Sequence, residues 1–79
     1  MMIYDLTEAE ARLRTASREY SRAQRALDEY HPASWSARSV RYRTALLDRV
    51  AVARREWLNA SSHFEICVNE AEWDRLNGK

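Results

Sequence analysis

The chain has 79 residues, enough for one small domain (1–79), and its formal net charge of +1 gives no overall field that would attract nucleic acid or a membrane surface. One Gly and one Pro in a chain rich in Ala, Arg, Glu and Leu predict an all-α fold. A single cysteine excludes an internal disulfide, and no apolar run exceeds four residues. We therefore expect a cytoplasmic protein without a membrane-spanning segment.

The first predicted helix spans about residues 6–30. Its start lies between positions 5 and 7, because Thr7-Glu8-Ala9-Glu10 reads as a capping box and Asp5-Leu6-Thr7-Glu8 could serve one step earlier. Eight residues then recur with alternating steps of three and four, which predicts one face that packs against a partner helix. This helix 1 seam consists of Leu6, Ala9, Leu13, Ala16, Tyr20, Ala23, Leu27 and Tyr30.

Residues 31–36 form the predicted connection. Pro32 disfavours helical geometry at His31, so the first helix must end near that point. Ser34 or Ser36 can cap the next helix, and a connection this short is typical of antiparallel neighbours. Trp35 is expected to pack on Tyr30 or Val40 at the end of the hairpin.

The second predicted helix spans about residues 37–77, with Gly78 as its stop signal. Ser62-His63-Phe64-Glu65 is a possible capping box, so a break near 60–62 is the alternative to one continuous helix. We favour continuity, because the second seam passes through this region without a change of phase. The helix 2 seam consists of Leu46, Val50, Ala53, Trp57, Ala60, Phe64, Cys67 and Ala71.

Two such seams predict an antiparallel helical hairpin with an Ala-rich heptad interface. Pairing residues whose numbers sum to roughly 70 places Leu13 near Trp57 and Tyr20 near Val50. Helix 2 then extends beyond helix 1, and this overhang carries the apolar side chains of Ile66, Trp73 and Leu76. Either residues 1–4 or a second chain would cover it. Because a two-helix hairpin has one buried interface, we expect a homodimer that forms a four-helix bundle.

Charge is segregated along the predicted rod. Residues 12–25 carry five Arg against Glu19, and residues 38–55 carry six Arg against Asp48. Residues 56–79 carry five acidic side chains against Arg75 and Lys79. The half that contains the connection is therefore basic and the open half is acidic, which favours head-to-tail or antiparallel pairing, or an acidic partner at the basic half.

No residue pattern indicates catalysis. His63, Cys67 and Glu70 could share one helical face and bind a metal, but zinc requires four converging ligands and the chain has no second Cys/His pair. Cys67 lies in the helix 2 seam, where a thiol is expected to be buried and un-ionised. We therefore predict a non-enzymatic protein with no metal, no cofactor and no catalytic residue.

The tripeptide Trp35-Ser36-Ala37 lies between the two predicted helices. In this plan the chain resembles the WXG100 family of secreted helical hairpins, in which Trp-x-Gly occupies the same bend. Ala37 stands where that family has glycine. The resemblance implies a hairpin that works as a structural subunit of a larger assembly.

The function predicted from these patterns is protein–protein interaction, of the kind seen in phage or bacterial accessory or inhibitor proteins. One alternative is a nucleic-acid-binding hairpin that uses the Arg-rich half, where Arg38, Arg41 and Arg43 cluster near Trp35 and Tyr42. The other is a structural subunit of a virion or of a WXG100-like secreted particle. The predicted partner-binding residues are Trp35, Arg38, Arg41, Ile66, Trp73 and Leu76.

Overall fold

The computed structural model describes residues 5–78, which form two helices joined by a short connection. Helix α1 spans Leu6–Asp28 and helix α2 spans Ala37–Asn77. The two pack side by side in an antiparallel hairpin, a rod of 65 × 14 × 14 Å. The predicted all-α helical hairpin is confirmed. The predicted role of residues 1–4 as a cover for the overhang falls outside the described residues.

Helix α1 begins at the earlier of the two predicted caps. Asp5 has an extended backbone, and its side-chain oxygen accepts a hydrogen bond from the amide of Glu8 at 3.0 Å. Asp is a favourable N-cap because it satisfies an amide that has no partner within the helix. With Asp5 in this position, Thr7 lies inside the first turn and does not act as the cap.

Helix α1 ends at Asp28, two residues before the predicted end at 30. Glu29 closes the helix with a bond from its amide to the carbonyl of Arg25, and the Tyr30 amide bonds the Leu27 carbonyl at 3.2 Å. This tighter i to i+3 bond is a common way to end a helix. It turns the chain before Pro32, whose ring disfavours helical geometry at the preceding residue.

Helix α2 begins at a capping box made of two serines. The Ser39 amide donates to Ser36 Oγ at 3.2 Å, and the Ser36 amide donates to Ser39 Oγ at 2.7 Å. Ser39 thus takes the place that Glu or Gln occupies in the usual box. Its side chain is buried, and its hydroxyl also contacts the carbonyl oxygens of Ser34 and Ser36. The cap fixes the direction in which α2 leaves the connection.

Helix α2 is continuous through Ser61 and Ser62, so the alternative break near 60–62 does not occur. Ala60 on one side of these serines is 1% exposed, and Phe64 on the other is half-buried against α1. Since both ends of the segment are held in the same interface, the local capping signal at Ser62 is overridden by packing. The helix ends at Gly78, whose amide bonds the carbonyl of Asp74.

The two seams form the core of the hairpin. Among the described residues, the buried apolar side chains are four alanines, one leucine and the cysteine: Ala9, Ala16, Ala23, Leu46, Ala60 and Cys67. The other large seam side chains are half-buried: Leu6, Leu13, Tyr20, Leu27, Tyr30, Val50, Trp57 and Phe64. Small residues in the middle of the interface allow the helix backbones to approach, and the large side chains close over them from the edges.

The ring of Trp57 contacts Tyr20, with 5.8 Å between ring centroids and 41° between ring planes. The sequence pairing predicts that Leu13 lies near Trp57 and that Tyr20 lies near Val50. In the structure the aromatic contact instead joins Tyr20 to Trp57. Side chains on a helix point towards its N-terminus. In antiparallel helices the two rings therefore lean towards each other. As a result Tyr20 contacts Trp57, which lies one heptad further along α2 than Val50.

We expect Trp57→Ala to lower the free energy of unfolding by about 3 kcal/mol, because it removes a large half-buried ring and its aromatic contact with Tyr20. Leu58→Ala is the matched control. Leu58 is its neighbour on α2 but is 46% exposed, so its truncation should change stability by about 0.5 kcal/mol or less. Urea denaturation followed by circular dichroism at one protein concentration measures both. Equal losses would contradict the packing described here.

We expect Ala60→Leu to destabilise the hairpin by about 1–3 kcal/mol, since a buried alanine between two backbones leaves no room for three more carbons. Ala51→Leu makes the same exchange at an exposed position of the same helix and should be nearly neutral. Thermal melts of the two variants give the comparison. A stabilised Ala60→Leu protein would show that the helices are not held at close approach.

Candidate protein-binding surfaces

The six predicted partner-binding residues are all exposed, and they lie at two separate places on the rod. Ile66, Trp73 and Leu76 are 58%, 62% and 70% exposed on the part of α2 that extends past the start of α1. Trp35, Arg38 and Arg41 lie at the connection and the start of α2. Because these two groups occupy opposite ends of a 65 Å rod, they form two surfaces.

The surface on α2 extends further than the sequence patterns indicated. Five exposed residues recur at a strict spacing of seven along one face, and we call them the α2 stripe. The α2 stripe consists of Ala45, Val52, Asn59, Ile66 and Trp73. Val52 is 54% exposed although α1 lies alongside it. Leu76 follows Trp73 by three residues and extends the apolar surface at the end of the helix.

An open groove of ≈ 540 Å³ runs between α1 and α2 next to the α2 stripe. Its floor is made of seam alanines, including Ala16, Ala23 and Ala53, and Ala45 and Val52 of the α2 stripe line its α2 side. The groove exists because an alanine seam brings two backbones together without side chains that would fill the angle between them. Five charged side chains line it: Arg12, Glu19, Asp48, Arg49 and Glu56.

The groove and the α2 stripe form one continuous surface. Ala45 and Val52 belong to both, and Ile66 and Trp73 continue the same face of α2 towards its C-terminus. The sequence patterns predict the C-terminal part of this surface but not Ala45, Val52 and Asn59. Their strict spacing of seven from Ile66 and Trp73 is the pattern that could have identified them. An alanine, a valine and an asparagine, however, do not together form a strongly hydrophobic segment.

An aromatic cluster closes the connection end of the rod. The ring of Tyr30 lies 4.7 Å from that of Tyr42 and 6.3 Å from that of Trp35, with the Trp35 contact edge to face. The Tyr30 hydroxyl donates to the carbonyl of Ser39 at 3.4 Å. Trp35 therefore packs on Tyr30, one of its two expected contacts, and yet remains 59% exposed. Arg38 lines a recess together with Tyr30 and Tyr42.

The salt bridges between described residues each lie within one helix. They join Glu10 with Arg14, Glu19 with Arg22, and Glu72 with Arg75, and all six side chains are more than half exposed. Such pairs contribute little to stability. The charge segregation seen in the sequence is thus a property of the rod surface.

The thiol of Cys67 lies 3.7 Å from His63 Nε2, one turn away on the same helix, and Cys67 is 1% exposed. Within residues 5–78 no three His, Cys, Asp or Glu side chains come together as metal ligands would. Glu70 therefore does not join His63 and Cys67. The contact between Cys67 and His63 is a weak hydrogen bond that involves a buried thiol.

Neither described helix combines the length and apolar character needed to cross a bilayer. Comparison of the chain with protein-family models, with curated proteins and with solved structures gave no match. The resemblance to WXG100 hairpins accordingly depends on the hairpin plan and on Trp35-Ser36-Ala37 alone.

Proposed function

We propose that this protein is a non-enzymatic interaction module that binds other proteins through the face of α2 formed by the α2 stripe and Leu76. The observation that carries the proposal is the exposure of Ile66, Trp73 and Leu76, each more than half accessible on a helix whose opposite face is packed. Large apolar side chains gathered on one helix face mark interaction surfaces more often than do scattered ones.

The geometry of this face suits a helix from a partner protein. Its apolar residues follow one side of α2, and the adjoining groove has an alanine floor between charged walls. A helix laid along a groove with apolar anchors at heptad spacing is a common recognition mode. Trp73 is the expected anchor, since tryptophan is enriched among the residues that dominate binding energy.

The proposal extends to the class of the protein. A small Arg- and Ala-rich hairpin of 79 residues suits an accessory or inhibitor protein from a phage or a bacterium. The free thiol of Cys67 is compatible with the reducing cytoplasm, which is where we place the protein.

We expect the double variant Ile66→Ala/Trp73→Ala to lose partner capture while the protein keeps its helical fold, because both side chains are exposed and neither belongs to a seam. Tagged protein would be incubated with a lysate of its own source, and bound proteins would be quantified by mass spectrometry. Leu58→Ala/Val40→Ala removes two apolar side chains of comparable exposure from elsewhere on α2 and serves as the control. Loss of the same bound proteins in both variants would contradict this surface.

Binding of nucleic acid by the connection end is a second candidate function. The observation that favours it is the exposed Trp35 ring, which lines a recess together with Arg43, while Arg38 and Arg41 lie in the first two turns of α2. Aromatic rings that stack on bases, flanked by Arg side chains that contact phosphates, form single-strand binding sites.

If that function is real, affinity for a fluorescent single-stranded oligonucleotide should fall steeply between about 50 and 200 mM salt. Replacing Arg38, Arg41 and Arg43 by Gln should remove the binding, whereas replacing Arg12 and Arg14 by Gln should leave most of it. Fluorescence anisotropy gives both results. Absence of binding at 50 mM salt would eliminate nucleic acid as the partner.

A further inference from the structure

We propose that the partner of the α2 stripe is a second copy of this chain, bound antiparallel about a two-fold axis at Asn59. The inference rests on the proposed function, since it names the partner that the same face binds. In this arrangement the C-terminal part of α2 from one molecule lies along the groove of the other. The geometry points to it because the groove and the C-terminal apolar residues are two halves of one stripe centred on Asn59.

The sizes of the residues on the two halves are complementary. With the axis at Asn59, Val52 of one copy faces Ile66 of the other, and Ala45 faces Trp73. The smallest residue of the α2 stripe thus lies opposite the largest, and Ala45 itself lines the groove beside its alanine floor. Both copies contribute both halves, so each contact occurs twice. A self-complementary patch of this kind is what a two-fold interface requires.

Charges on the edges of the α2 stripe are also complementary in this register. In antiparallel helices the same heptad positions meet across the interface, so Arg49 on the groove wall lies beside Glu70 of the other copy. Asp48 faces Asn69, and Glu56 faces His63. On the α1 wall, Glu19 is already paired with Arg22 at 3.2 Å. The register therefore joins the basic half of each rod to the acidic half of the other without a like-charged pair along α2.

Asn59 provides a reason for this register over others. It is the polar interruption of the α2 stripe, and it is exposed at its centre. In a two-fold pair the two Asn59 side chains meet on the axis, where the amides can hydrogen-bond to each other. A single Asn in an apolar helix interface is a known device for specifying register and orientation at some cost in stability. Any shift along the helix would place Asn59 against an apolar residue.

The oligomeric state of the full chain tests the proposal first. Multi-angle light scattering from sub-micromolar to high-micromolar protein should show a monomer–dimer equilibrium that Ile66→Asp shifts to monomer. Leu58→Asp introduces the same charge at an exposed apolar residue on another face and should leave the dimer intact. Circular dichroism checks that both variants remain helical. A monomer over the whole range, or association into polymers, overturns the proposal.

A charge exchange tests the register. Arg49→Glu and Glu70→Arg should each raise the dimer dissociation constant by about tenfold, because each introduces two like-charged contacts by symmetry. The double variant Arg49→Glu/Glu70→Arg restores opposite charges and should return to within about threefold of the parent. Arg54→Glu/Glu65→Arg exchanges charges away from the α2 stripe and provides the control. A dimer that does not recover in the double variant has another register, and the proposal is then wrong.

A cross-link tests the axis. Asn59→Cys should give a disulfide-linked dimer with an added oxidant, since residues on the axis of an antiparallel helix pair are close enough for a disulfide. Leu58→Cys, one residue away on another face, should not. The native Cys67 is buried and serves as an internal blank. Absence of the cross-link in a dimer contradicts an axis at Asn59.

These results separate the failure of this inference from the failure of the proposed function. A monomeric chain whose partner capture depends on Ile66 and Trp73 overturns the second-copy assignment and supports a foreign helix on the same face. A dimer with the proposed register whose capture is unaffected by that double variant supports the assignment. The foreign partner would then use the connection end of the rod.

Discussion

The close approach of two helix backbones at their seam alanines is the constraint on which the rest of the structure depends. Ala9, Ala23 and Ala60 are each only 1% exposed, so the packing of the two helices excludes solvent from these positions. Alanine also has the highest helix propensity, which lets the same residues support both the helices and their contact. The larger seam residues close over the alanines from the edges, and the ring contact between Tyr20 and Trp57 is one result.

This constraint also explains what the hairpin leaves exposed. An interface built from small residues is narrow, so apolar side chains one position away from the seam are not reached by the partner helix. Val52 shows the effect, because it is 54% exposed although α1 runs alongside it. The groove beside it has the same origin, since alanines in the seam leave an unfilled angle between the two helices. Close packing within the hairpin thus leaves this apolar surface exposed.

The fold follows from the sequence because its determinants are local and periodic. The alternating spacing of three and four identified each buried residue of both seams, and its unbroken phase correctly favoured a continuous α2 over a break at Ser62. What the sequence did not show depends on geometry in three dimensions. The contact of Trp57 with Tyr20 depends on how side chains tilt along antiparallel helices. The groove at Ala45 and Val52 forms because the seam alanines have no side chains long enough to fill the angle between the helices.

Helix α2 carries two repeats of the same period on neighbouring faces. Its seam repeats every seven residues against α1, and the α2 stripe also repeats every seven residues from Ala45 to Trp73. An undistorted helix drifts by about 20° per heptad relative to such a repeat, so a face of five members stays aligned only when the helix supercoils to the left. The seam against α1 has the same seven-residue period, so it favours that supercoil over the length that the two helices share. Because the α2 stripe has the same period, a supercoil that aligns the seam also aligns Ala45 and Val52, the members of the stripe that lie alongside α1. Over the length shared with α1, the face that we propose to bind a second helix therefore requires no further distortion of α2.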